Sequence, residues 1–275
     1  MNTPQKVLIG AAAAAIVIGG VAIGLTLQKT PDKLDISTIH TEAPTETMAP
    51  TTQAVTTEAP TAAEKTPDDA GTATSVTATL ETYTNGKVSI QYPVVDKMDD
   101  AGMQAKVNEL IKNNALSYIK AVGVDESKDA LSVKCEVISV DRKRLTATYT
   151  GTYSAEGAAH PVNVFYANTV NLSQALDLGF NDFTDAYTMA GYVLSEDVEF
   201  AGLSAEEAKA VLEYRSTLTL EQLTEIFNNA DFPLASADKW PESFSYEKRG
   251  TVCFSLPVPH ALGDYVIVTF DPSTK

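Results

Sequence analysis

The loop that joins the last two predicted strands carries the side chains best suited to chemistry. It presents an imidazole, a carboxylate and a phenol within six residues, and a second imidazole follows an earlier predicted strand. Loops held by a rigid sheet are frequent places for binding residues. A structural role is an equally concrete interpretation, in which Gly263 supplies a positive-φ turn and the carboxylate binds backbone amides. The candidate ligand-binding residues are His160, His260, Asp264 and Tyr265.

The same residues do not form a recognisable metal or catalytic motif. A zinc site needs three or four His, Cys or carboxylate ligands, and His160 and His260 are the only histidines of residues 76–275. Neither a nucleophile elbow, a P-loop nor a dinucleotide fingerprint occurs in the sequence. We therefore predict no metal, no cofactor and no assigned catalytic residue. A hydrolase that uses the two histidines stays open as an alternative.

Two cysteines, Cys135 and Cys253, both lie in predicted strands. An extracellular compartment permits a disulfide between them if their α-carbons approach within about 7 Å. Two buried free thiols are equally compatible with the sequence.

An uncharged apolar run occupies residues 7–27, beginning at Val7 and ending at Leu27. As a helix it would be roughly 31 Å long, enough to cross the hydrocarbon layer of a bilayer. It is longer than the core of a cleaved signal peptide, which favours an uncleaved anchor. The charges on its two sides are nearly balanced, with Lys6 before it and Lys29 and Lys33 after it. We predict a single-pass cell-membrane protein with residues 1–6 in the cytoplasm and the carboxyl-terminal part outside the cell.

Residues 28–75 are rich in threonine, proline and alanine, and the sequence TEAPT occurs in them twice. Such a segment has too few large apolar side chains to offset its ordering entropy, so we predict a disordered stalk. An extended stalk of this length would carry a domain through a cell wall, although the composition also fits a plain linker.

The remaining chain is acidic, since residues 76–275 hold 16 basic and 28 acidic side chains. A net negative surface repels nucleic acid and anionic lipid, and it attracts cations or basic proteins. We therefore expect no nucleic-acid partner. The alternative is that the acidic side chains serve only to keep an exported domain soluble.

The first predicted half, residues 76–180, opens with a hairpin at Asn85-Gly86. Helical spacing of apolar residues then predicts a helix over about 100–121, with the acidic Asp99 and Asp100 at its start and Gly123 at its end. Alternating residues predict an antiparallel meander of three strands, at 131–140, 145–154 and 161–172.

The second predicted half, residues 181–275, begins with helices and ends with strands. A helix is predicted over 182–193, and capping boxes at Ser204 and Thr219 predict two more. Strands are predicted near 244–247, 251–258 and 265–270. The fold class is therefore α+β, with antiparallel sheets and packed helices.

Several short motifs resemble a known family. They are a strand that ends in tyrosine and proline at Tyr92, the helical sequence VNEL at 107–110, the turn GAAHP at 157–161, and Asp182-Phe183. Over residues 88–270 the chain resembles an extracellular domain family of Gram-positive bacteria. That family occurs beside peptidoglycan deacetylase domains and as the lysozyme-sensing part of a membrane anti-sigma factor. Ala158 stands where that family often has a second glycine.

The resemblance implies two related α+β halves and a binding role rather than a defined reaction. It does not carry over the regulatory role, because residues 1–6 are too few for a sigma-factor-binding region. We expect a membrane-anchored, extracytoplasmic domain that binds or senses a cell-wall component or a basic wall-directed protein such as lysozyme. A cell-wall-modifying hydrolase and an envelope scaffold without a small ligand are the alternatives.

Overall fold

The computed structural model describes residues 75–274. The predicted anchor and residues 28–74 of the predicted stalk lie outside the described residues and stay predictions. Within 75–274, none of the helices combines the length and the apolar character that a membrane span needs.

A six-stranded sheet forms the first layer, with its strands in chain order from one edge to the other. It consists of β1 (Thr77–Asn85), β2 (Val88–Asp96), β3 (Ala130–Val140), β4 (Arg144–Ser154), β5 (Val162–Asn171) and β6 (Leu176–Leu178). The predicted hairpin is confirmed, since Asn85 pairs with Val88 and Gly86 has a φ of +56°. The predicted meander is confirmed too, because β3, β4 and β5 pair antiparallel in succession.

One pair of strands in this sheet, β2 and β3, is parallel, which differs from the fully antiparallel sheet expected from the sequence. The helix α1 (Ala101–Val122) connects them. A long helical crossover returns the chain to the end of the sheet where β2 began, so the next strand runs in the same direction.

The ends of α1 are set by local side-chain chemistry. Asp100 accepts hydrogen bonds from the backbone N–H groups of Gly102 and Met103 at 2.8 and 3.0 Å, which satisfies free donors of the first turn. Gly123 ends the helix in the left-handed region at a φ of +74°. Asn108 pairs with both backbone polar groups of Val95, and this fixes α1 against β2.

Four shorter helices follow the first sheet. They are α2 (Phe180–Phe183), α3 (Ala186–Leu194), α4 (Ala205–Arg215) and α5 (Leu220–Asn228). Both predicted capping boxes are present, at Ser204 and at Thr219. The single helix predicted over 182–193 is divided, because Asp185 caps a new helix by accepting from the backbone N–H of Thr188 at 2.7 Å.

A second, fully antiparallel sheet has the strand order β7, β10, β9, β8. Its strands are β7 (Glu199–Phe200), β8 (Ser245–Lys248), β9 (Thr251–Pro257) and β10 (Tyr265–Phe270). Together with α2 to α5 it encloses one of two apolar cores, which includes Phe180, Met189, Phe227 and Phe254.

The other core lies between α1 and the first sheet, and its largest members include Ile90, Ile111, Tyr149 and Tyr166. Phe232 and Phe244, from the later part of the chain, are buried in this core as well. Among the described residues 75–274, the two sheets thus belong to one compact unit.

Candidate functional site

The four candidate residues of the sequence lie together where the two sheets meet. His160 precedes β5 of the first sheet, His260 and Asp264 belong to the connection from β9 to β10 of the second sheet, and Tyr265 is the first residue of β10. The two imidazole rings stack with their centroids 6.2 Å apart. Residues 100 positions apart in the sequence are therefore neighbours, and we call them the histidine cluster.

Asp264 is the central acceptor of the histidine cluster. Its Oδ1 lies 2.9 Å from Nδ1 of His260, and its Oδ2 accepts a hydrogen bond from the backbone N–H of Asn163 at 2.7 Å. The carboxylate is only 15% exposed, whereas the His260 side chain is 53% exposed. The structure thus contains the backbone amide contact of the structural interpretation together with an exposed imidazole.

The backbone of this turn adopts left-handed conformations at two successive residues. Gly263 has a φ of +98° and Asp264 a φ of +70°. Aspartate tolerates this region better than most residues because its short side chain can form local hydrogen bonds. The turn therefore depends on both residue types.

Tyr265 has a packing role within the histidine cluster. Its ring stacks on Phe165 of β5 with centroids 5.0 Å apart, and burial raises the pKa of its hydroxyl. It joins the two sheets through ring contact, whereas the two histidines are the exposed groups of the cluster.

A groove with a volume of about 580 Å³ begins immediately before His260 in the sequence, where Pro257, Val258 and Pro259 form part of its lining. The rest of its lining comes from the end of α4, from α5 and from the segment 235–242. The lining combines two aromatic side chains, several apolar ones, two carboxylates and two amides; it includes Tyr214, Leu218, Gln222, Glu225, Ile226, Asn229, Lys239, Trp240, Pro241 and Glu242.

Trp240, the single tryptophan of the chain, connects this groove to the first core. Its ring meets Tyr118 at 5.0 Å and Tyr166 at 5.3 Å edge to face, and Phe244 at 5.0 Å at a tilt. Such aromatic contacts hold a ring in one orientation. The groove thus has a fixed aromatic wall.

The negative charge of residues 76–275 is concentrated in the segment that supplies most of the groove lining. Residues 181–242 contain 13 acidic and three basic side chains, a net charge of −10 out of −12 for residues 76–275. All of these acidic residues except Asp231 are exposed. We call residues 181–242 the acidic segment, and it includes α3, α4, α5 and most of the groove lining.

The two cysteines are free and buried, and they lie in different sheets, Cys135 in β3 and Cys253 in β9. Burial raises the pKa of the Cys135 thiol to about 12, and it also raises the pKa of Cys253. Of the two alternatives left by the sequence, the structure therefore contains the free thiols.

Among residues 75–274, no group of three or more His, Cys, Asp or Glu side chains is arranged to hold a metal ion. The contacts of His260 are with Asp264 and with the ring of His160. An imidazole oriented by a carboxylate is one part of a hydrolytic site. These contacts do not include a nucleophile.

The sequence indicated the four residues of the histidine cluster as candidates without predicting that they are neighbours, and it did not indicate the groove. The groove lining is collected from two helices and two loops between Tyr214 and Pro259, so it has no period in the sequence. The Trp240-Pro241 pair and the excess of acidic residues over 181–242 were the signals that could have indicated it.

Comparison with known proteins finds similarity in structure but not in sequence. No protein-family model matches the chain, and no curated protein matches it in sequence. A member of the DUF3298 family from Bacteroides fragilis is similar in structure, with a TM-score of 0.43, 13% identity, and coverage of 72% of this chain and 90% of that one. A DUF3298 family protein from Pseudomonas aeruginosa has a TM-score of 0.32, 9% identity, and coverage of 70% and 93%. At these values the likenesses assign neither a family nor a function to this chain.

Proposed function

We propose that this protein is a membrane-tethered, extracytoplasmic binding domain whose partner is a basic, wall-directed protein such as lysozyme. The apolar run at residues 7–27 supports the tether, and the stalk composition of residues 28–75 supports a domain held away from the membrane. The resemblance of short motifs to a lysozyme-sensing family supports the class of partner.

The observation that carries the proposal is the uneven distribution of charge. Acidity for solubility alone needs no particular location, yet residues 181–242 hold a net −10 and residues 76–180 hold 10 basic and 12 acidic side chains. A surface of one sign beside an open groove attracts partners of the opposite sign and orients them during encounter. A basic protein is the macromolecule that such a surface selects.

Cell-wall glycan is the second candidate ligand, favoured by the aromatic wall of the groove at Trp240 and its amides at Gln222 and Asn229. The negative charge restricts this candidate to neutral or amino-bearing sugars, because anionic polymers are repelled.

The test is a binding titration of the full-length chain in a non-ionic detergent, against lysozyme and against soluble peptidoglycan fragments. The titration is carried out at about 0.05 M and about 0.5 M sodium chloride, which changes the screening length severalfold. We expect saturable lysozyme binding that weakens at the higher salt concentration. A glycan receptor would instead bind the fragments with little salt dependence, and an envelope scaffold or a hydrolase would not hold lysozyme at either salt concentration.

A further inference from the structure

The groove beside Trp240 combines a rigid aromatic wall with carboxylates inside the acidic segment. Glu225 and Glu242 line it and are exposed, and Lys239 is the single cation among its lining residues. Binding pockets usually pair an apolar lining with a few polar groups that decide what enters. In this groove the charge of those groups favours a cation.

We propose that this groove is the anchor site for the basic partner, which inserts an arginine or lysine side chain against the ring of Trp240 and pairs it with Glu225 and Glu242. The inference rests on the proposed function, because it assumes that the partner is a basic protein. It goes further by naming the point of attachment and the side chain that is recognised.

Cation–π attraction supports tryptophan as the contact, since its ring binds guanidinium and ammonium groups best among aromatic side chains. The gain increases when the pair is removed from water, as it is inside a groove. The contacts of Trp240 with Tyr118, Tyr166 and Phe244 fix the ring before the partner arrives. A preorganised wall lowers the ordering cost of binding.

The dimensions of the groove fit a loop rather than one side chain. Its volume of about 580 Å³ exceeds that of a single arginine, and a second depression of about 350 Å³ borders it. Glu225 and Asn229 line both depressions, and Tyr187, whose side chain is 62% exposed, lines the second. A partner loop can therefore place a basic residue in the groove and an apolar one against Tyr187.

The first experiment compares two double variants that remove the same charge. Glu225→Gln with Glu242→Gln changes the groove, whereas Glu206→Gln with Glu213→Gln changes exposed residues of α4 elsewhere in the acidic segment. Lysozyme is titrated against each full-length variant in non-ionic detergent. We expect the groove variant to lose about tenfold or more in affinity, as hot-spot residues do, and the α4 variant to lose about twofold.

The second experiment uses Trp240 as a reporter, because it is the only tryptophan. A tryptophan-free peptide of alternating arginine and leucine is titrated into the full-length chain while the emission and its quenching by acrylamide are followed. We expect a saturable emission change and protection from acrylamide. Trp240→Phe keeps an aromatic ring in the core, and we expect it to bind lysozyme more weakly, since phenylalanine is the poorer cation–π partner.

The outcomes separate the two proposals. If lysozyme does not bind the wild-type chain, the proposed function is wrong. If lysozyme binds and the groove and α4 variants weaken it equally, the proposed function stands and the anchor site is wrong. If the peptide leaves the Trp240 emission unchanged while neutral chitopentaose alters it, the groove is a glycan site and the anchor proposal is overturned.

Discussion

The carboxylate of Asp264 accepts a hydrogen bond at 2.7 Å from the backbone N–H of Asn163, which lies 101 residues earlier in the chain. This bond connects the start of β5 in the first sheet to the turn before β10 in the second sheet. The same carboxylate holds His260 at 2.9 Å. The carboxylate of Asp264 thus links Asn163 at the start of β5 to His260 before β10, and this link fixes the geometry of the histidine cluster.

Replacing Asp264 tests this connection. Asp264→Ala removes two hydrogen bonds and places an alanine at a positive φ, and we expect it to lower the free energy of unfolding by about 2 kcal/mol. Asp264→Asn keeps an acceptor and tolerates the conformation, so it should cost less than about 1 kcal/mol. Urea unfolding of both variants measures the difference. Equal stabilities for the alanine variant and the wild type would show that Asp264 does not connect the sheets.

Because Asp231 is buried, we expect the free energy of unfolding to depend on pH in an unusual way. Complete burial raises its pKa to about 7, although it accepts hydrogen bonds from the backbone N–H and the hydroxyl of Ser245. In the unfolded chain the carboxyl titrates near its ordinary value of 3.8. Between about pH 4 and pH 7 the folded state therefore holds a proton that the unfolded state has released. Raising the pH through this window lowers stability, by at most about 1.4 kcal/mol per pH unit.

The variant Asp231→Asn isolates this effect, because asparagine fills the same space and does not titrate. We expect the unfolding free energy of the wild type, measured relative to this variant, to fall as the pH rises from 4 to 7. Asp99→Asn, at an exposed position, serves as the control and should follow the wild type. A wild-type curve that runs parallel to that of Asp231→Asn would contradict the raised pKa.

Gly151 is expected to be intolerant of any side chain. A Cβ at this position would lie 2.0 Å from the carbonyl oxygen of Ser132 and 2.8 Å from the Cα of Val133, so β3 and β4 would have to separate. We expect Gly151→Ala to lower stability by roughly 3 kcal/mol or more. Gly191→Ala in α3 meets nothing within 4 Å and should stabilise by up to about 1 kcal/mol. Thermal unfolding of the two variants checks the contrast, and a mild effect at Gly151 would contradict it.

The cysteines should behave as buried thiols. Native protein is expected to react slowly with a thiol reagent at neutral pH, because burial raises the pKa of Cys135 to about 12 and limits access to both sulfurs. Unfolding without reductant should expose two reactive thiols per chain. Their absence in the unfolded, unreduced protein would indicate the disulfide that the sequence left open.

Local chemistry made much of the fold predictable. Asp100, Gly123, Ser204 and Thr219 mark helix ends because capping depends on neighbouring residues only, and the structure places the caps where those residues predict them. The alternation along the sequence predicted β3 and β4, and each predicted strand end lies within one residue of the end in the structure.

Long-range features were not predictable in the same way. The parallel pairing of β2 with β3 depends on the path of α1, and the short strands β6 and β7 contain too few residues to show a period. The groove was missed because Tyr214, Trp240 and Pro259 become neighbours only after both sheets have formed.

The most direct test of the central claim is amide hydrogen exchange of the full-length chain with and without bound lysozyme. We expect lysozyme to protect amides in α4, in α5 and in the segment 235–242, where the acidic segment borders the groove. Amides of α1 and of β1, on the first sheet, should exchange at unchanged rates. Protection confined to α1 or β1, or no change in the acidic segment under saturating lysozyme, would contradict the assignment of this face as the binding surface.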